Sequence, residues 1–320
     1  MAKIFEGTDA EWDALILKRD YFGSVLQSSV WRRVQQARGN KCVRIIDSAE
    51  NPSLWVALPI ARLFWVWYCP KGPGVLPEAS EWKSIVGLLQ REKHATILRI
   101  EPSEKISTSQ GGLLFIQRRD ISPTHTLITN IARNEESLFA SFHEKTRYNI
   151  RVAGKHEVDV DKISGQELFA RADEILALYE QTGDRHGIAA TPRKDLRALF
   201  EVCDVWVARA GEKIIATSLH LGFGKTYIYL HGASDYESRA MMAPYALHWA
   251  ALKDAQQKKF ETYDWWGIAP TNEPAHRLAG VTRFKLGFGG DVFEAPGTFD
   301  AGIDRARFGL YTALRRIMRS

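Results

Sequence analysis

The chain has 320 residues, 45% hydrophobic and 25% charged, values that exclude a disordered or low-complexity protein and leave room for two domains, each with its own core. A formal charge of +5 favours an anionic partner such as RNA, a nucleotide or a phosphorylated substrate. Three widely spaced cysteines, Cys42, Cys69 and Cys203, exclude a disulfide framework and a CxxC metal site and fit a reducing compartment.

The opening MAKIFEGTDAEWDAL has no basic segment leading into an apolar run, so no secretory signal is expected. Thr8 followed by Glu11 has capping-box spacing and predicts a helix in TDAEWDALILK; SSVWRRVQQARGN predicts a second, closed by Gly39. CVRIID, LWVALPIAR and FWVWYC predict strands. The apolar stretch from Leu54 to Pro70 is interrupted by Pro59 and Arg62 and is too short to cross a bilayer, so a cytoplasmic protein is expected. EWKSIVGLLQREKH predicts an amphipathic helix, and ATILRIEPS a strand stopped by Pro102.

The second half opens with a predicted strand, HTLITNI, and a long helix from Glu135 to His156. Strand VDVDKI and helices GQELFARADEILALYEQT and PRKDLRALFEVC follow. DVWVARA, KIIATSLHLGF and KTYIYLHGAS, joined by the dipeptides GE and GK, predict three antiparallel strands, then helix APYALHWAALKDAQQKK and strand TYDWWGI. This is an α+β order with a mixed sheet, similar to the acetyltransferase layout. In that layout glycines let backbone N–H groups approach the pyrophosphate of an acyl-CoA. Here Met241, Met242, Ala243 and Pro244 occupy the junction, and no acyl-CoA donor is expected.

Several side chains are candidates for function. Arg147, Arg151 and Lys155 fall at i, i+4 and i+8 and form a cationic stripe, either a solvated face or a track for phosphates. Arg185, beside Thr182 and His186 at the end of a long helix, either caps carbonyls or grips a diphosphate with its planar fork. Tyr227 and Tyr229 share one face of a strand, and Tyr229 is the candidate for orienting substrate. Asp264 is either a fold-holding partner or a proton acceptor. In TRFKLGFGG, Gly287, Gly289 and Gly290 predict a tight turn into DVFEAP that holds Phe284 and Lys285 at the mouth of a site. No Ser-His-Asp or Cys-His order with a nucleophile elbow is present, so direct attack without a covalent intermediate is expected.

Five segments in order, EKTRYNIRVAGKHEVDV, LYEQTGDRHGI, YIYLHGAS, YDWWGIAP and VTRFKLGFGG, resemble the FemABX family of tRNA-dependent aminoacyltransferases. The resemblance implies two acetyltransferase (GNAT)-like domains with no coiled-coil arm: residues 1–127 plus 296–320 on the acceptor side, and 128–295 carrying the tRNA 3′-end site. It implies transfer from aminoacyl-tRNA to an amine of the peptide stem of a peptidoglycan precursor, UDP-MurNAc-pentapeptide or lipid II. No metal or cofactor is implied, because the tRNA ester is already activated, and a monomer is expected. Lys285 and Asp264 become the catalytic candidates; Arg185, Thr182, Tyr229, Arg32 and Arg33 the substrate-binding ones; Phe284, Lys285, Arg147, Arg151 and Lys155 the tRNA-binding ones. Lys285 would stabilise the oxyanion or pair with a phosphate of the terminal adenosine, and Phe284 would stack on a base. The resemblance calls for lysine at Gln35. Arg32, Arg33 or Arg38 would replace it, or the acceptor is another amine, of a natural product or a protein. A catalytically silent RNA- or nucleotide-binding protein is the third reading.

Overall fold

The computed structural model describes the chain except for Asp20, residues 61–62, 187–190, 271–275 and 318–320, and the side chains of residues 184–186 and 315–317. The chain divides into two units, Met1–Thr124 with Glu294–Ser320, and His125–Phe293.

The first unit begins with β1 (Lys3–Ile4), α1 (Asp9–Leu17), α2 (Ser29–Ala37), β2 (Lys41–Ile46), β3 (Pro52–Ile60) and β4 (Phe64–Cys69). It continues with α3 (Ala79–Glu92), β5 (Ile97–Ile100), β6 (Ser109–Gln110) and β7 (Leu113–Arg118). The expected capping box starts α1: Glu11 N–H donates to Thr8 Oγ1 at 3.2 Å, and Thr8 N–H donates to Glu11 Oε2 at 2.7 Å.

The second unit contains β8 (His125–Asn130), α4 (Glu135–Ser141), α5 (Glu144–Lys155), β9 (Asp159–Ile163), α6 (Gly165–His186) and α7 (Arg193–Phe200). After these come β10 (Asp204–Ala210), β11 (Lys213–Phe223), β12 (Thr226–Ser234), α8 (Ala243–Gln257), β13 (Thr262–Gly267), α9 (Ala279–Leu286) and β14 (Asp291–Glu294). Gly211 and Gly224 take the left-handed conformation, φ +57° and +56°, that the two-residue hairpins on either side of β11 require. The chain then returns to the first sheet with β15 (Thr298–Gly302) and α10 (Arg305–Ile317). Arg99 fixes that return by donating twice to the buried Asp300 carboxylate, at 2.6 and 2.8 Å.

The sheet of the first unit runs β1-β2-β3-β4-β5-β15-β7-β6, and that of the second β14-β8-β13-β12-β11-β10-β9. Each contains a parallel pair linked by a crossover helix: β4 with β5 through α3, and β12 with β13 through α8. Trp55, Trp67 and Trp82 fill the first core; Trp265, Tyr263, Phe142 and Phe288 fill the second.

Three sequence expectations change. The single helix from Glu135 to His156 is two helices, because Phe142 turns into the core with ψ 150° and His143 N–H donates to Gly287 O at 2.8 Å. Thr282–Leu286 is helical rather than loop, and only the glycines after it turn. The long helix expected to end near Thr182 runs on to His186.

The opening of the second sheet positions the site. β12 and β13 pair only over Thr226↔Thr262, Tyr227↔Tyr263 and Ile228↔Asp264, while β12 continues to Ser234. Beyond that point β13 bulges, with a register shift against β8 between Asp264 and Gly267 and Trp266 at φ +57°. Gly290, at φ +132°, lies so close to β8 that a Cβ there would sit 2.4 Å from Ile128 O. Gly290→Ala is therefore expected to destabilise the protein by about 2 kcal/mol or more; a wild-type urea midpoint would contradict this packing.

Candidate active site

The bulge of β13 is held by two buried charged side chains. Asp264 Oδ1 accepts from Thr126 Oγ1 at 2.5 Å and from Trp266 N–H at 2.7 Å. Lys285, on α9, donates from Nζ to Trp265 O at 2.6 Å and Gly267 O at 2.7 Å, the carbonyls flanking the bulge. Lys285 is 5% exposed, so it stands inside the unit and not at a mouth, as the turn reading of TRFKLGFGG had it. Burial draws its pKa from 10.5 down to about 7, an effect that Asp264 opposes. Its Nζ lies 5.1 Å from the ring centroid of Tyr229.

Behind these runs a chain of neutral groups. Tyr263 hydroxyl lies 2.6 Å from His220 Nε2 and 2.8 Å from His248 Nδ1. A phenol that donates to one ring nitrogen accepts from the other, so the two histidines take opposite roles toward it. Burial pushes His220 down to about 3 and His248 well below its ordinary value, the latter helped by His220 and Lys285.

Two clefts flank Phe284. The larger, about 640 Å³, is rimmed by His143, Lys145 and Arg283, with Tyr245 and Phe284 on its wall. The smaller, about 270 Å³, lies along the half of β12 that β13 does not follow and is lined by Thr182, Tyr229, His248 and Phe284. Thr182 is fixed there by Ser234, whose N–H donates to Thr182 Oγ1 at 3.3 Å. The Tyr229 hydroxyl rests on Gly232, where a Cβ would be 2.0 Å away. Burial raises the Tyr229 pKa, so the phenol stays protonated and available as a donor.

The structure thus gathers Thr182, Tyr229 and Phe284 around one cleft, with Lys285 behind Tyr229. Asp264 is 2% exposed and accepts from Trp266 N–H in the bulge and from Thr126 on β8, contacts that suit a fold-holding partner better than a proton acceptor for a substrate.

The cationic stripe is broken. Arg147 Nη1 donates to Ala140 O at 3.1 Å and to Phe142 O, capping α4, whereas Arg151 lies over Phe139 and, like Lys155, is exposed. Arg185 and His186 fall in the last turn of α6, and their side chains lie outside the described residues. In the other unit Arg32 donates to Asp9 at 2.7 Å, and Arg33 is exposed. Gln35 is buried and accepts from Asn40 Nδ2 at 2.8 Å. Lys145, Arg283 and His248 were not singled out from sequence, because no spacing marks them.

Residues 203–316 match the FemAB family. The match is to this segment and not to the whole chain. A stretch of 89 residues is 29% identical to aminoacyltransferase FemB of Staphylococcus epidermidis, covering 28% of this chain and 21% of FemB, so the match spans about a fifth of that relative. The fold is similar to that of FemX, with a TM-score of 0.74 and 17% identity over 96% of this chain and 99% of FemX. It is also similar to a tandem GNAT protein from the clavulanic acid biosynthesis pathway, with a TM-score of 0.54 and 9% identity over 94% and 98% of the two chains. The FemABX resemblance and the α+β, GNAT-like fold expected from sequence are both borne out.

Two tests address this geometry. Gly232→Ala is expected to displace the Tyr229 ring with little loss of stability, visible as altered ring chemical shifts; unchanged shifts would contradict the contact. Lys285 binds fewer protons folded than unfolded between pH 7 and 10.5, so its contribution to stability rises with pH across that window. Relative to Lys285→Met, wild type is expected to gain about 1 kcal/mol per pH unit between about pH 7.5 and 9.5. A pH-independent difference would mean that Lys285 is charged throughout.

Proposed function

We propose that this protein transfers an amino acid from aminoacyl-tRNA to an amine of the peptide stem of a peptidoglycan precursor. The observation that carries this reading is the pair of clefts separated by Phe284, with the Lys285 ammonium behind Tyr229, in a FemAB-family segment. The larger cleft suits an RNA end: Lys145 and Arg283 for phosphates, and the faces of Tyr245 and Phe284 for a base. The smaller suits the aminoacyl ester and the incoming amine.

The amine nitrogen attacks the ester carbonyl carbon, forming the C–N bond and placing negative charge on the carbonyl oxygen. Tyr229 donates a hydrogen bond to that oxygen, and the Lys285 charge against its ring makes the phenol a stronger donor. Collapse breaks the bond to ribose, and the proton lost by the amine ends on the leaving ribose oxygen. No nucleotide hydrolysis is needed. A glycine-free α8 start, with Met242 left-handed at φ +55° and Pro244 in the first turn, favours an RNA donor over an acyl-CoA.

Buried Gln35, where the resemblance calls for lysine, supports a second reading in which the acceptor amine is not part of a peptidoglycan precursor. Labelled aminoacyl-tRNA offered with UDP-linked or lipid-linked pentapeptide, and with other amines, separates the two. Lys285→Met is expected to lower kcat by about 10²–10³-fold and to remove an inflection near pH 7 from the rate profile. Arg283→Ala is expected to weaken tRNA binding and flatten its salt dependence. Transfer untouched by Lys285→Met, or transfer from acetyl-CoA, would overturn the mechanism; no transfer to any amine would leave only RNA or nucleotide binding.

A further inference from the structure

The last helix carries a surface that the transfer reaction does not use. α10 packs inward through Phe308 and Tyr311, the latter edge-on to Phe64 at 5.5 Å. Its opposite side presents Ala306, Leu310, Ala313 and Leu314, all exposed, with Leu310 at 55% and Leu314 at 38%. Leu63, 70% exposed, directly precedes Phe64 in the chain. An outward apolar stripe at i, i+4, i+7 and i+8 is the inverse of what water favours on a surface helix.

Charge adds a second observation. Residues Arg305 to Ser320 contain five arginines and no acidic side chain, so the whole formal surplus of +5 resides in these sixteen residues and the remainder of the chain is balanced. Arg305 and Arg307 are exposed, and Arg307 meets Asp304 only at 3.8 Å. Leucines flanked by arginines on a helix of 13 residues, too short to cross a bilayer, fit a helix lying in the headgroup boundary. A nucleic acid backbone would satisfy the arginines and leave the leucines in water. A symmetric second copy would cover the leucines and bring the arginines of both copies together, which is repulsive.

We propose that α10 docks this protein on an anionic lipid surface, Leu310 and Leu314 entering the acyl boundary while Arg305 and Arg307 meet phosphate headgroups. Docking would hold the protein on the surface that carries a lipid-linked acceptor; that consequence alone rests on the transfer reading, and vesicle binding needs no substrate.

The full chain is sedimented with vesicles of phosphatidylcholine alone and of phosphatidylcholine mixed with phosphatidylglycerol. Binding to the anionic vesicles only, weakened by salt and about 10-fold or more by Leu310→Ser with Leu314→Ser, is the expected result. Arg305→Gln with Arg307→Gln is expected to weaken it as well, and an unchanged unfolding midpoint shows that each variant is folded. Equal pelleting with neutral vesicles, no pelleting, or indifference to the leucine changes overturns the proposal. So does a dimer in light scattering that the leucine changes dissociate, or binding to a homopolymeric RNA that they leave intact while vesicle binding is absent.

Discussion

The Lys285 side-chain nitrogen against the carbonyls of Trp265 and Gly267 is the interaction on which the opening in the second sheet depends. β13 must pair with β12 for three residues and then leave it, and the departure is made by a bulge that takes polar groups out of the ladder. A buried carbonyl or amide left without a partner costs about 1–3 kcal/mol. Asp264 takes the Trp266 N–H and Lys285 takes the carbonyls on either side, so one acid and one base complete what the ladder leaves open. The split between the strands, the cleft along β12 and the seat of α9 all follow from that closure.

The same contact supplies the electrostatics. Burial draws the Lys285 pKa down to about 7, so its proton is held near neutral pH by a narrow margin, while the histidines nearby are pushed toward the neutral form. A neutral amine still has two N–H groups for the two carbonyls. The bulge is therefore held in either protonation state, and charge can vary without the fold giving way.

What could be read from sequence was what short range decides. The Thr8 cap, the hairpins at Gly211 and Gly224, and the order of strands before and after α8 are local consequences of residue type. Thr182, Tyr229 and Phe284 were picked one by one from three segments, and the fold brings them to one cleft. The capping contact of Arg147 is not legible in the sequence because its acceptors exist only where the helix breaks, and the break is set by Phe142 packing on Phe288 and Trp249, contacts remote in sequence. His248 reads as one polar residue in an amphipathic helix until Tyr263 arrives beside it. The glycines after Lys285 suggested a loop, yet Gly287 only ends α9, where its lack of a Cβ leaves room for Thr146 Oγ1.

The two units use one architecture and close it differently. In the first, β4 and β5 stay paired from Val66↔Ile97 to Cys69↔Ile100, the full length of β5. Glu101 then accepts from Tyr68, the Lys71 N–H, the Ser122 N–H and Thr298. A carboxylate has about four acceptor positions, so these donors saturate it and seal the end of the strand. In the second unit the corresponding end is a bulge held by a lysine whose charge is adjustable, and the sheet opens there. The arginine-rich α10 belongs to the sealed unit and the open cleft to the other. The same layout thus ends once in a saturated carboxylate and once in an open bulge, and only the second leaves a cleft along its central strand.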